Sequence, residues 1–268
     1  MTLPQALDFA QEVEVLSALL DTWPAENWAR ATLFKQWNAN DIVRHLHFWN
    51  EAADWSVRDP QALHVRLAQF RASAARGESM RVLEGEMVQA SGAELLTLWR
   101  DFALDMAQRW QTLDPRQRVE WAGPSMSVRS SITARQMETW AHGQALFDLC
   151  GQDRPESARL LNIVVLGVNT FGWSHSVRGH AVPAQMPRIE LTGPAGEAWH
   201  FGEPSDASRV QGSALGFAQV VTQTRHVQDT NLQVRGDVAA HWMAHAQCFA
   251  GRAQTPPAPG VRQKAQMA

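Results

Sequence analysis

"RQMETWAHGQALFD", residues 135–148, carries Glu138 and His142 four positions apart in a run that otherwise reads as a buried helix. Positions i and i+4 of a helix lie on one face, about 6 Å apart, and Ala141 and Ala145 lie beside that face. A carboxylate among apolar side chains is costly unless a partner compensates its charge. A metal ion would be such a partner, but a lone pair with this spacing is also common without one. The segment therefore predicts half of a metal site and requires a third ligand.

A second helical segment offers two histidines as the third ligand. "NANDIVRHLHFWNEAADWSV", residues 38–57, opens with cap-forming Asn and Asp and then shows helical periodicity. His45 and His47 point to different faces, because each residue turns the helix by about 100°. His45 shares the apolar face with Ile42 and Leu46, whereas His47 falls on the polar side. His45 is therefore the predicted ligand, although alone it would equally suit a hydrogen-bonded core histidine.

Two histidines and one glutamate leave at least one coordination position open, which is typical of catalytic rather than structural zinc. The same ligands also suit iron, nickel or cobalt, so the prediction is zinc or another divalent transition metal. Asp41, one turn before His45, could accept a hydrogen bond from its ring or serve only as a helix cap. Arg135 could meet a substrate carboxylate, but we interpret it as a solvated residue in the first turn of its helix.

Helical periodicity predicts four long helices before residue 152, at 4–22, 38–57, 91–113 and 133–150, and therefore a helical bundle. The pattern changes after "GQDRPES". Residues 153–250 predict a small α+β domain with helices at 156–171, 213–226 and 237–249 and a hairpin around Pro194, Ala195 and Gly196. The predicted domains are 1–152 and 153–250, followed by a disordered tail at 251–268.

Charge and hydropathy exclude several classes of protein. The chain has 268 residues and a net charge of −3, without the clustered basic face of a nucleic-acid-binding protein. Its longest apolar run, "LLNIVVLGV", is too short to cross a membrane, and acidic residues stand where a signal peptide carries positive charge. Two cysteines cannot form a disulfide framework. We predict a cytoplasmic protein without a nucleic-acid or membrane partner.

The two helical segments also carry a resemblance to a known family. "WNANDIVRHLHFWNEAA", followed about ninety residues later by "RQMETWAHGQALFD", resembles the metal-binding domain of mycothiol-dependent maleylpyruvate isomerases, in the DinB-like superfamily. The His-Leu pair of that family falls on His45 and Leu46, and its Glu-x-x-x-His motif falls on Glu138 and His142. The resemblance implies a mainly α, two-domain protein in which a DinB-like up-and-down four-helix bundle holds zinc through His45, Glu138 and His142.

The whole chain, including "GWSHSVRG", "VVTQTRH" and "AQCFAG", is similar to a bacterial subfamily of metal-binding proteins related to those isomerases. The resemblance implies a thiol-dependent isomerase or thiol transferase, in which the metal activates a low-molecular-weight thiol. The substrate would be a small unsaturated molecule that is carboxylated or acyl-linked. In the isomerases the second domain contributes an arginine to the site, for which Arg178 and Arg225 are the candidates. The expected partners are the substrate and the thiol, for a monomer or a dimer.

A non-catalytic protein is the alternative function. In that interpretation the α+β domain is sterol-carrier-like and binds a lipid or acyl ligand, while the metal site is vestigial or sensory.

The other candidate reactive residues are interpreted as structural or solvent-exposed. Cys150 lies too far along its helix from His142 to bind the same ion and is interpreted as a buried small residue. Asp237, His241 and His245 form a column on the last helix that we interpret as a solvated face.

Overall fold

The computed structural model describes residues 2–265, which form ten α-helices and six β-strands. They fall into two compact units that divide between Leu146 and Phe147. The predicted fold class, a mainly α, two-domain protein with a helical bundle followed by a smaller α+β domain, is confirmed. The sequence predicted the domain boundary slightly later, at residue 152, whereas the units divide near the end of the helix Val128–Leu149.

The first unit is helical. Its helices are α1 (Pro4–Leu20), α2 (Ala39–Arg58), α3 (Pro60–Ala75), α4 (Met80–Met87), α5 (Gly92–Trp110) and α6 (Val128–Leu149). Helix α5 packs against α1 and α2, and α2 also packs against α3 and α4. The buried side chains of this core include Phe9, Leu16, Ile42, Leu46, Trp99 and Met106. Burying one such side chain stabilises the folded protein by roughly 1.5–3 kcal/mol relative to leaving it exposed to water.

The start of α2 is fixed by a reciprocal cap. The side chain of Asn38 accepts from the backbone N–H of Asp41 at 3.0 Å, and Asp41 accepts from the backbone N–H of Asn38 at 3.1 Å. These bonds satisfy two of the N–H groups that a helix leaves unpaired at its start. The cap fixes where α2 begins, and therefore which of its residues face the core.

The segment before α6 differs from the sequence prediction. No strand was predicted before this helix, but Arg118–Val119 (β1) and Met126–Ser127 (β2) form a two-stranded antiparallel sheet. Helix α6 begins directly after β2, at Val128, five residues earlier than predicted. Its first turn is therefore formed by residues that the sequence prediction had placed before the helix.

The second unit surrounds a four-stranded sheet with the order β4-β3-β5-β6. Its elements are α7 (Leu160–Asn169), α8 (Phe171–Ser176), β3 (Arg188–Thr192), β4 (Ala198–Phe201), β5 (Arg209–Ser213), α9 (Ala214–Val221), β6 (Gln233–Arg235) and α10 (Asp237–His245). Strands β3 and β4 form the predicted hairpin, whereas β5, which pairs in parallel with β3, was not predicted. Gly212 and the polar residues around it weaken the sequence signal of that strand.

The tail also differs from the prediction. Residues 251–265 make hydrogen bonds within the second unit instead of lacking order: Asp229 accepts from the backbone of Gly260 at 2.9 Å, and Arg262 donates to the carbonyl of Gln223 at 2.7 Å. Amino-acid composition alone does not predict such specific hydrogen bonds. The end of the predicted tail, 266–268, lies outside the described residues. In the described part of the chain, no helix is both long and apolar enough to cross a bilayer.

Candidate metal centre

Three predicted ligands meet in the first unit. His45 comes from α2, whereas Glu138 and His142 come from α6, and one ligand atom of each lies within 4.8 Å of the others. The Oε2 atom of Glu138 lies 3.0 Å from His142 Nε2 and 3.9 Å from His45 Nε2. The two imidazole rings have centroids 4.7 Å apart. The structure thus brings together the residues that helical spacing selected.

The other nitrogen of His45 is held by a residue that the sequence did not identify. Glu84 on α4 is buried, and its Oε1 atom accepts from His45 Nδ1 at 2.7 Å and from Trp49 Nε1 at 3.2 Å. With Nδ1 donating to a carboxylate, His45 turns Nε2 towards Glu138 and His142, where an ion that displaces the Nε2 proton would find a lone pair. A metal-binding histidine usually has such a partner.

The expected partner, Asp41, has another role. It belongs to the reciprocal cap of α2 and accepts from Arg81 at 3.2 Å. The structure therefore shows Asp41 in its other predicted role, as a helix cap. Glu84 left a signal in the sequence, because "MRVLEGEM" places it on a helical face with Met80 and Leu83, as Glu138 is placed among apolar residues. The residues around Glu84 are mostly polar and rich in arginine, and they weaken that signal.

The carboxylates and imidazoles perturb each other strongly. Burial alone would raise the pKa of Glu138, but hydrogen bonds from His142 and His45 and the charge of Arg135 hold it well below its usual range. Burial would likewise lower the pKa of His45, but Glu84 and Glu138 together raise it to about 9. The pKa of His142 is lowered, chiefly by burial. The cluster therefore has an ionised carboxylate at its centre.

Aromatic rings from the loop before α2 pack against both histidines. The ring of Trp37 stacks on His142 with centroids 5.7 Å apart and meets His45 edge-on at 5.3 Å, while Phe34 meets His142 edge-on at 5.0 Å. Between these two aromatic residues, Lys35 and Gln36 have φ angles of 50° and 59°. Two consecutive non-glycine residues in the left-handed region are strained, and such strain is concentrated at functional sites.

Arg135 is not the solvated residue that we expected. It lies in the second turn of α6, because the helix begins at Val128, and only 5% of it is exposed. Its guanidinium carbon lies 5.2 Å from the centre of the Trp121 ring. Burial lowers its pKa, whereas the Glu138 carboxylate raises it. The earlier start of the helix moves Arg135 from the solvated end into the packed part of the unit.

The two arginines predicted to serve the site from the second domain are bonded within their own unit. Arg225 donates to both carboxylate oxygens of Asp148, at 2.7 and 2.5 Å. Arg178 donates to the carbonyl of Ser174 at 3.1 Å and to Gln247 at 3.3 Å. A role of Arg178 or Arg225 in a reaction stays a prediction.

The histidine column of the last helix has additional neighbours. His241 and His245 on α10 have ring centroids 4.7 Å apart, and His180 Nδ1 lies 3.1 Å from His241 Nε2. Buried His175 lies behind His241, at 5.4 Å between ring centroids. We call these four residues the histidine cluster. The sequence analysis grouped His241 with His245 but did not bring His175 or His180 to them. Neither Cys150 nor Cys248 is disulfide-bonded; Cys248 is buried and Cys150 half-buried.

Comparisons with known proteins agree with this architecture. A family model described as the mycothiol maleylpyruvate isomerase N-terminal domain matches residues 9–147. Two proteins of Mycobacterium tuberculosis, from two strains and both named as uncharacterized, are 34% identical to the chain over 250 residues, which is 92% of this chain and 96% of each relative.

Two solved structures share the fold. They are a mycothiol-dependent maleylpyruvate isomerase and a mutant of it, with TM-scores of 0.54 and 0.55 and sequence identities of 16% and 17%. Each comparison covers 87% of this chain and 93% of the other. The likeness therefore extends over both units.

Proposed function

Because the chain belongs to the mycothiol maleylpyruvate isomerase N-terminal domain family, we propose that it is a metal-binding, thiol-dependent enzyme acting on a small unsaturated substrate. The reaction class is isomerisation of the substrate or its conjugation with the thiol. One observation supports this proposal above all: His45, Glu138 and His142 present three ligand atoms within 4.8 Å, with His45 oriented by a buried carboxylate.

The donor set suits a divalent transition metal. Zinc binds imidazole nitrogen and carboxylate oxygen at about 2.0–2.2 Å, and sites with three protein ligands leave a position for substrate or water. Zinc is the metal that we propose first, and iron, nickel and cobalt accept the same ligands. The ionised Glu138, whose side chain is only 19% exposed, supports this assignment, because a carboxylate largely shielded from water needs a compensating positive charge.

When bound, the metal would lower the pKa of the thiol, so that the thiolate is available near neutral pH. The thiolate sulfur then bonds to one alkene carbon while the π electrons move onto the conjugated carbonyl group. After rotation about the resulting single bond, elimination restores the double bond and returns the thiolate. Protonation before elimination would instead keep the adduct, which is the transferase outcome. Neither route requires an oxidant or reductant.

The protein contributes orientation and exclusion of water. Glu84 fixes the ring of His45, and the rings of Phe34 and Trp37 cover the imidazoles of the site. Covering a site with apolar rings strengthens the electrostatic interactions within it. Mycothiol is the first thiol to test, because the solved relatives are named as dependent on it.

The test is metal content by elemental mass spectrometry on untagged protein. We expect one equivalent of metal in the wild type, and loss of that metal in His45→Ala and in His142→Ala. The control is His64→Ala, which removes an exposed histidine of α3 and should keep the metal. Wild-type protein that holds no metal after reconstitution would contradict the proposal and favour the non-catalytic lipid- or acyl-binding alternative. If metal is present, thiols would next be screened against unsaturated acids and thioesters.

A further inference from the structure

The histidine cluster of the second unit is built from two local features of the chain. His241 and His245 are one turn apart on α10, so their side chains lie on one face of that helix. His175 and His180 come from the segment at the end of α8, where the backbone N–H of His180 bonds to the carbonyl of His175 at 3.1 Å and Gly179 has a φ angle of 71°. This is the Schellman ending, in which a glycine turns the chain back over the last helical turn. Each helix therefore supplies a pair of neighbouring histidines.

Packing of α8 against α10 brings the two pairs together. The rings of Phe171 and Trp242 meet edge to face with centroids 5.0 Å apart, and both residues are buried. The Nδ1 atom of His180 then lies 3.1 Å from the Nε2 atom of His241. Both histidines are exposed, so an ion in solution can reach these two nitrogens.

The distance between the two nitrogens suits a shared metal ion. One ring donates to the other in this contact, and a metal that took the place of the shared proton would bind both lone pairs, while that ring carries its proton on the other nitrogen. With bonds of about 2.0 Å, two nitrogens on one ion lie about 2.8 Å apart at adjacent corners of a square and about 3.3 Å apart on a tetrahedron. The observed 3.1 Å falls between these values, so a shift of a few tenths of an ångström reaches either geometry.

A third imidazole lies beside the pair. The ring centroid of His245 is 4.7 Å from that of His241 and 5.9 Å from that of His180. The two imidazoles of the candidate metal centre in the first unit are likewise 4.7 Å apart. Because Nδ1 of His245 donates to the carbonyl of His241, its Nε2 keeps a lone pair. Rotation of this side chain would bring a third nitrogen to the ion.

Buried His175 supplies an acceptor behind the pair. It is 3% exposed, and its Nδ1 donates to the carbonyl of Phe171 at 2.9 Å, so the Nε2 of the neutral ring carries a lone pair. Among the residues that the structure describes, nothing is hydrogen-bonded to this buried nitrogen. The ring lies 5.4 Å from that of His241. A metal-binding histidine usually donates its second N–H to an acceptor, and His175 offers one next to His241.

The surroundings also keep His241 uncharged, as a metal ligand must be. Its pKa is lowered, first by burial and then by the positive charges of its neighbours His245, His175, His180 and Arg178. The cluster offers imidazole nitrogen and no carboxylate, unlike the candidate metal centre. The affinity of such a site for divalent metals rises to copper(II), which exceeds nickel, cobalt and zinc.

We propose that the histidine cluster is a second transition-metal site, in which His180 and His241 bind copper(II) in preference to zinc, with His245 within reach as a third ligand. Copper(II) favours tetragonal coordination, in which imidazoles and water complete the site, whereas a structural zinc site has four placed protein ligands. The proposal does not depend on the proposed function, because no residue of the first unit takes part in it.

The test is a titration of copper(II), against a competing chelator, into protein that has been loaded with zinc and passed through gel filtration. We expect wild type to bind one copper(II) ion without releasing zinc, and the electron paramagnetic resonance spectrum to show coupling to at least two nitrogens. His241→Ala and His180→Ala should each weaken this binding at least tenfold. His200→Ala is the matched control, because His200 is an exposed histidine of β4 in the same unit. Zinc should show binding that depends on His241 and is at least tenfold weaker.

The contrary results are distinct. Release of one zinc ion for each copper bound would place the copper in the first unit and overturn the proposal. Equal copper affinity of wild type and His241→Ala, coupling to a single nitrogen, or an equal loss in His200→Ala would also overturn it, and zinc binding as tight as copper binding would refute the preference. Wild-type protein that holds no zinc would contradict the proposed function and leave the copper measurement unaffected. Circular dichroism would verify that His241→Ala, which changes an exposed residue, folds like wild type.

Discussion

The Nδ1 atom of His45 lies 2.7 Å from the Oε1 atom of Glu84, although the two residues are 39 positions apart and belong to different helices. The contact is buried at both ends, with 11% and 1% of the side chains exposed. It joins α4 to the candidate metal centre and determines which nitrogen of His45 faces Glu138 and His142. A carboxylate in this position also makes the imidazole a stronger electron donor.

Replacement of Glu84 by Gln should weaken metal binding without removing a ligand. An amide can still accept a hydrogen bond from His45, but it lacks the charge that orients and polarises the ring. Changes of this kind typically reduce metal affinity by about 10- to 100-fold. The measurement is competition for zinc with a chromophoric chelator.

Glu86→Gln provides the control for Glu84→Gln, because Glu86 is an exposed glutamate of the same helix. Its zinc affinity should equal that of wild type. If Glu84→Gln and Glu86→Gln bind zinc equally tightly, then Glu84 does not support the metal centre.

Asp54 is a second buried carboxylate with an entirely structural set of partners. It is fully buried on α2, and it accepts from Arg58 at 2.5 Å, from Arg109 at 2.9 Å and from the indole N–H of Trp110 at 3.0 Å. Asp54→Ala should lower the free energy of unfolding by about 3 kcal/mol, because it leaves buried donors without an acceptor. This is the low end of such effects, since both arginines keep partial access to water.

Urea unfolding monitored by circular dichroism would measure the effect of Asp54→Ala. The control is Asp101→Ala, which removes an aspartate on α5 whose side chain is 68% exposed. Surface ion pairs of this kind contribute little, so the control should unfold like wild type. Equal stability of the two variants would show that the buried contacts between α2 and α5 are not important for the fold.

The sequence predicted the members of the candidate metal centre because their selection depends on helical phase alone. The spacing of Glu138 and His142, and the position of His45 on the apolar face of α2, are local properties that hold once each helix forms. Their role as ligands stays a prediction, but the sequence was sufficient to predict that the three side chains lie close together. The fold class was predictable for the same reason, since long amphipathic helices must bury their apolar faces together.

The supporting residues could not be predicted because they depend on tertiary packing or on exact helix ends. Glu84 reaches His45 from a short helix in a polar segment, and no periodicity specifies that pairing. Arg135 was assigned to solvent because the predicted helix began five residues too late. Strand β5 pairs in parallel across the sheet with β3, a non-local contact that the sequence around Gly212 does not indicate.

The ion pair between Arg225 and Asp148 gives a way to separate structure from catalysis in the second unit. Arg225→Gln should lower the free energy of unfolding by roughly 3 kcal/mol, because it leaves the Asp148 carboxylate, 9% exposed, without its bidentate partner. The measurement is urea unfolding. The double variant Arg225→Gln/Asp148→Asn removes both charges and should recover part of the lost stability.

Activity of the same variants would decide the predicted role of Arg225. If Arg225 only stabilises the unit, turnover should recover together with stability in the double variant. If it also binds substrate or thiol, turnover should stay low in the double variant. Unchanged stability of Arg225→Gln would contradict the structural importance of the pair.

The histidine cluster should bind a second metal ion more weakly than the first. The Nδ1 atom of His245 lies 2.9 Å from the carbonyl of His241 and donates to it, so its Nε2 faces away from the helix, and His241 Nε2 lies 3.1 Å from His180 Nδ1. Two nitrogens on one tetrahedral zinc would be about 3.3 Å apart. In the part of the chain that the structure describes, however, only His45, Glu138 and His142 bring three ligand atoms within 4.8 Å of one another. An ion at the cluster therefore has two well-placed ligands instead of three.

With excess zinc or nickel, wild-type protein should take up a second equivalent that a single gel-filtration step removes, while the first equivalent stays bound. His241→Ala should lose only the second equivalent, because His241 is the member in contact with the other three rings. His45→Ala should show the opposite pattern and keep only the weak equivalent. If His241→Ala instead lost the tightly bound metal, the principal site of this protein would be in the second unit, and the assignment of His45, Glu138 and His142 would be wrong.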